Sequence, residues 1–152
     1  MQHAQILTIH FQKEFIALID KDSEAYDEVF ACFKLPKATD EEKAVRSAAI
    51  QEATKHAALI PMEVARKALE MMPVIADIAR LGNRNAITDA CVAMMAARSA
   101  VLGALLNVRI NLGALKDKEF VVQLQTEADL IEQTACRKEK ELLDAVNQDL
   151  RV

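Results

Sequence analysis

The stretch FIALIDKDSEAYDEVF, residues 15 to 30, carries three aspartates in a helix-like pattern. A general acid or base is a titratable group held where its surroundings, not bulk water, decide its protonation. Side chains turn by about 100° per residue in a helix. On that wheel Phe11, Phe15, Leu18, Ile19, Tyr26, Val29 and Phe33 form one apolar stripe, and Asp22 falls at its centre. Asp20 and Asp27 point roughly the opposite way, toward water. Burial in the stripe would make Asp22 competent to hold or deliver a proton near neutral pH. The competing interpretations are a helix face packed against water, or a carboxylate paired with a lysine or arginine for structural specificity. Tyr26, one turn away, either orients Asp22 or fills the core.

A second unusual face lies in AITDACVAMMAARSAVLGALLNVRIN. Asp89, Ala93, Ala96, Ala100, Gly103, Ala104, Asn107 and Asn111 share one side of that helix. Its middle is almost free of side chains and its two ends are polar. Small residues let another helix approach closely, or they leave a groove. Asn107 and Asn111 are four apart, so each offers a donor and an acceptor to the same space. Cys91 and Arg98 point away from this face, the first toward packing and the second toward solvent.

The elements that must position these residues are helices. Hydrophobic residues make up 52% of the 152, which excludes a disordered chain. Only three glycines and three prolines interrupt a composition dominated by helix formers. The first helix is predicted to end near Lys34, before Pro36. Thr39 and Glu42 form a capping box for the second. Pro61 and Pro73 are expected to kink or restart it, and LGN, residues 81 to 83, to stop it. Asn85 is placed to cap the next helix and Asp117 the last. That last helix has Phe120, Leu124, Ile131, Ala135, Leu142 and Val146 as its apolar positions. The result is an all-α, single-domain bundle of about five helices spanning residues 1 to 152.

Net charge is −4 and no basic stripe is present, so nucleic-acid binding has no support. Three scattered cysteines make neither a disulfide framework nor a zinc ribbon. His3, His10 and His56 lack metal-ligand spacing, so no metal site is expected. No secretory leader and no long uncharged apolar span are read from the chain, which points to a cytoplasmic protein that does not enter membranes. Exposed small residues predict a homodimer or larger assembly. The run CRKEKELLD reads as a solvated helix face.

Three segments, LIDKDSEAYDEVFACFKLPK, AAIQEATKHAALIPMEVA and GNRNAITDACVAMMAARSAVLGALLNVRINL, resemble the cyclodeaminase family. The similarity runs in order from about Phe15 to Leu115, and the G-N-x-N-A-x-[ST]-D block before N-V-x-I-N-L is its most specific part. The resemblance implies an all-helical, cytosolic, oligomeric enzyme. Its substrate would be a one-carbon-loaded tetrahydrofolate, with no other cofactor. One branch closes formiminotetrahydrofolate to methenyltetrahydrofolate and releases ammonia; the other hydrolyses methenyltetrahydrofolate to formyltetrahydrofolate. The family's catalytic aspartate, the second of its D-x-D pair, falls on Asp22. Thr88 and Asp89 lie in the matched block. On chemical grounds Asp89, Asn107 and Asn111 suit the pterin's donor–acceptor edge, and Lys37 or Arg84 the glutamate tail. Family members usually begin with a glycine-rich segment of the type P-G-G-G-S. Here the first glycine is Gly82, so the domain reads as N-terminally short. That departure keeps a non-catalytic helical oligomer, retaining the scaffold and a folate pocket, as the alternative.

Overall fold

A computed structural model describes residues 2–150, with side chains from residue 4 onward. Four helices follow one another: α1 (Gln2–Phe33), α2 (Asp40–Leu81), α3 (Ile87–Leu112) and α4 (Lys118–Leu150), with a short 3-10 turn, Arg84–Ala86, between α2 and α3. The count is four, not five, because α2 runs unbroken through Pro61 and Pro73. Each proline removes one backbone donor. Packing on both sides sustains the helix around Pro61, which is itself buried beside the fully buried Met62.

The caps follow the sequence closely. Thr39 accepts from the Glu42 N–H, and Glu42 accepts in turn from the Thr39 N–H. Asp117 accepts from the Phe120 N–H at 3.1 Å and starts α4. The cap at the α2–α3 turn is Asn83, which accepts from the Asn85 N–H; Asn85 does not cap α3. Gly82 ends α2 with its N–H on the Ile78 carbonyl at 2.8 Å. Its φ is −83°, so it is not there for a left-handed backbone. A Cβ at Gly82 would stand 2.4 Å from the Ile78 oxygen, and only glycine allows that approach.

α2, α3 and α4 enclose the main core. Met62, Met72, Met94, Val101, Leu105 and Val108 are fully buried, interleaved with alanines such as Ala65, Ala97 and Ala128. Alanine at facing positions brings helix axes close and leaves the longer side chains to interdigitate. Arginine–carboxylate pairs strap α4 to its neighbours: Arg66 to Glu127 from α2, and Arg98 to Glu139 and Arg109 to Asp129 and Glu132 from α3. Arg98 is therefore half-buried and paired, not solvated as its wheel position suggested. The polar face of α4 does carry exposed pairs four apart, Arg137–Glu141 and Lys140–Asp144.

α1 lies antiparallel on α2. Its rungs are Glu14–Lys67 at 3.0 Å, Lys21–Glu63 at 3.8 Å, Glu28–His56 at 2.9 Å, and Arg46 donating to the Phe33 carbonyl. Phe11, Leu18 and Ala25, seven apart, form the buried seam. α3 is long and apolar enough to cross a membrane by length and composition alone, with Arg98 and Arg109 interrupting the apolar run. Here one side of it forms the core against α2 and α4.

Candidate functional site

The apolar stripe of α1 is wider than the seam it buries. Ile19, Tyr26 and Phe33, counted within the stripe, are 65%, 68% and 52% exposed. Asp22 stands at the boundary between the Phe11–Leu18–Ala25 seam and this open face, and it is exposed. The burial expected at Asp22 is therefore not supplied by the single chain. Tyr26 stacks on Phe30, with ring centroids 6.4 Å apart, and Lys34 lies over the Phe30 ring. Among the described residues no hydrogen bond joins Tyr26 to Asp22.

The rungs of the α1–α2 pair fix the height of Asp22. It lies between Lys21–Glu63 and Glu28–His56, beside the stretch of α2 that contains Ala57 and Ile60. α3 reaches the same stretch from its other side. Asn111 donates from Nδ2 to the Ala57 carbonyl at 3.0 Å. The reason lies four residues downstream: Pro61 has no N–H, so the Ala57 carbonyl has no helical donor. Asn111 supplies one. Its second N–H goes to the Asn107 carbonyl at 3.1 Å, so only its oxygen remains for a ligand. The helix interruption foreseen at Pro61 and the polar end foreseen at Asn111 are one feature. A proline inside a helix always frees the carbonyl four residues back, and that signal was present in the sequence.

The other candidates fall elsewhere. Thr88 and Asp89 are exposed at the first turn of α3. Asp89 and Asn107 are eighteen residues apart on one continuous helix, a separation of about 27 Å. Lys37 is in the α1–α2 connection and Arg84 beyond the far end of α2, a helix about 63 Å long. One protomer thus sets Asp22 and Tyr26 of α1 and Asn107 and Asn111 of α3 at about one height, on either side of α2. It holds Arg84, Thr88 and Asp89 together near the α2–α3 turn, and leaves Lys37 apart from both groups.

A groove of about 600 Å³ lies at the α2–α3 turn and is lined by Met72, Arg80, Arg84, Ile87, Lys138 and Leu142 among others. It includes Arg84 but not Asp22 or the asparagines. Asp77, Glu141 and Asp149 balance its cations, and Asp77 is paired with Arg80. Among the described residues no group of three or more histidines, cysteines or carboxylates is placed to hold a metal; the side chain of His3 lies outside the described residues. Burial pushes the Cys91 thiol up from its ordinary range, consistent with a packing role.

Residues 1–130 match the sequence profile of the family described as formiminotransferase-cyclodeaminase. Over 109 residues the chain is 40% identical to the methenyltetrahydrofolate cyclohydrolase of Methylorubrum extorquens, a match covering 72% of this chain and 52% of that protein. Over 107 residues it is 34% identical to the formimidoyltransferase-cyclodeaminase of Rattus norvegicus, covering 70% of this chain and 20% of that one. The fold is shared with a formiminotetrahydrofolate cyclodeaminase from Thermotoga maritima. The TM-score is 0.71 at 24% identity, over 90% of this chain and 66% of the other. The chain thus spans about half the length of the cyclohydrolase it matches, and less of the longer relative.

Proposed function

The chain belongs to the formiminotransferase-cyclodeaminase family, and from that membership we propose that it is a cytoplasmic, homo-oligomeric enzyme acting on one-carbon-loaded tetrahydrofolate. The reaction is either cyclisation of the formimino form with loss of ammonia or hydrolysis of the methenyl form. Both proceed by attack on an amidine-type carbon. The attacking group, a ring-closing nitrogen or a water, loses a proton, and the departing nitrogen gains one. A single carboxyl group can take the first proton and return it to the leaving nitrogen. Asp22 is assigned that role. Tyr26 offers a ring face beside it, and the free oxygen of Asn111 with the side chain of Asn107 offers hydrogen-bond partners to the pterin edge.

The observation that supports this reading is the shared height of Asp22 and Asn111 on either side of α2. Two helices not adjacent in the chain bring polar side chains to one stretch between Ala57 and Glu63. The test follows methenyltetrahydrofolate absorbance, which is product in one reaction and substrate in the other. Asp22→Asn keeps the shape and removes the proton carrier. Turnover is expected to fall by about 10²-fold or more with helicity unchanged. An equally active variant would remove Asp22 from the chemistry. A folded wild type inactive on both folates would leave the scaffold interpretation standing.

A further inference from the structure

The open face of α1 carries a row of four exposed side chains, each four residues from the next: Asp22, Tyr26, Phe30 and Lys34. Residues at this spacing are neighbours on a helix surface, each about 6 Å further along the axis. The row passes from a carboxyl group through two aromatic rings to an ammonium. The Tyr26 and Phe30 rings lie in nearly parallel planes, 7° apart, with centroids separated by 6.4 Å. The Lys34 ammonium folds back over the Phe30 ring, 4.6 Å from its centroid. Helical side chains lean toward the N-terminus, so this cation stands level with Phe30 and not with its own Cα. It is therefore about 12 Å along the axis from Asp22.

Lys34 also differs from its neighbours in what holds it. Lys21, Lys43, Lys55, Lys67 and Lys140 each pair with a carboxylate. Among the described residues Lys34 has no such partner. A ring face holds it, and a cation–π contact leaves ammonium hydrogens free to donate. An open aromatic surface with a cation at one end suits a flat ring that carries an anion beyond it.

We infer that this row binds the benzoyl-glutamate half of the folate, with the aryl ring on Tyr26 and a glutamate carboxylate on Lys34. The inference rests on the folate reading above for the identity of the ligand. In a folate the transferred carbon, the aryl ring and the glutamate carboxylates follow in that order. Ordinary bond lengths put the carboxylates roughly 10–12 Å from the carbon. With the carbon at Asp22, the ring falls at Tyr26, one turn on, and the carboxylates reach the ammonium above Phe30. The opposite direction offers no such match. There the row continues to Leu18, which is buried, and to Glu14, a carboxylate already paired with Lys67. Of the cations offered for the tail on chemical grounds, Lys37 lies past Pro36, off the helix, and Arg84 lies beyond the far end of α2. Phe30 is a positioning residue: it acts through Lys34, whose ammonium it fixes.

A binding measurement and a kinetic one test this. Tyr26 is the only tyrosine in the chain, so the tyrosine ring signals in a proton NMR spectrum report on this row alone. p-Aminobenzoyl-glutamate is expected to shift them at millimolar concentration, and its dimethyl ester, with no charge on the tail, much less. Lys34→Gln should abolish the difference between the two probes. In turnover, Lys34→Gln is expected to raise KM for the folate substrate by roughly 5- to 10-fold with kcat unchanged. Its KM for the dimethyl ester of that substrate should match the wild type's. Phe30→Leu should raise KM in the same sense, and Phe30→Tyr, which keeps a ring under the ammonium, should not. An active wild type whose Lys34→Gln variant keeps its KM, or loses the ester equally, overturns the assignment. So does a loss carried by Lys37→Gln instead, or a set of Tyr26 signals that ignores p-aminobenzoyl-glutamate. A wild type inactive on both folates, whose Tyr26 signals still respond to that probe through Lys34, removes the proposed reaction while the subsite stands.

Discussion

The two sides of α3 are both apolar, yet they have different fates. On the inner side Met94, Val101, Leu105 and Val108 are shut away from water. On the outer side Val92, Leu106 and Ile110 are 60%, 66% and 74% exposed. The inner side has its partners in the same chain, supplied by α2 and α4. The outer side keeps the same avoidance of water without a partner. Hydrophobic periodicity reports which residues avoid water; it carries no label for the surface that will cover them.

The sharpest way to break this comparison is to truncate neighbouring leucines. Leu105→Ala empties a fully buried site and is expected to cost about 2–5 kcal/mol in urea unfolding. Leu106→Ala, one residue along, is expected to stay within about 0.5 kcal/mol when the protein is dilute enough to be monomeric. Equal costs in dilute solution would mean that the outer side is already covered within the protomer.

A smaller effect carries more information because its sign depends on concentration. Gly103→Ala adds a methyl group into empty space and improves helix propensity. The dilute protein should gain about 0.5–1 kcal/mol. At concentrations where another chain covers this face, the same methyl group would meet it, and the gain should shrink or reverse. A constant gain at every concentration would show that nothing approaches Gly103.

The smallest expected effect concerns pH and the start of α4. The Lys55 ammonium, 2.9 Å away, and next the Phe120 N–H hold the Asp117 carboxyl below its ordinary value. A carboxyl group lowered on folding contributes stability that is fully present above its unfolded value, near 3.8. That contribution is lost as pH falls through the lower folded value. Thermal stability should therefore drop as pH falls below about 4, and Asp117→Asn should flatten that part of the profile, less so in high salt.

Much of the fold was legible because helix ends carry local chemistry. Thr39, Glu42 and Asp117 act within four residues of themselves, and a wheel suffices to place Leu124, Ile131 and Ala135. The errors share a different cause. Pro61 should break a helix by its own geometry, and only packing from both sides overrides it. Asp22 was expected to be buried because the stripe on α1 was assumed to be covered; of that stripe only Phe11 and Leu18 are buried. Arg98 was assigned to solvent because Glu139, its partner, is forty-one residues away. The family motif around Asn83 to Asp89 was easy to find, but its distance from Asn107 depends on α3 being continuous, which a list of motifs does not state.

The proline within α2 has a consequence for how such a chain can change over generations. As long as Pro61 is present, the Ala57 carbonyl depends on Asn111, and losing that amide strands an acceptor inside the bundle. If Pro61 is first replaced by any residue with an N–H, the helix repairs its own ladder and position 111 is released from that duty. The two positions are therefore epistatic, with a preferred order of substitution. Descendants that have lost the asparagine should be found without the proline, while those that keep the proline should keep the asparagine, or another donor able to reach the same oxygen.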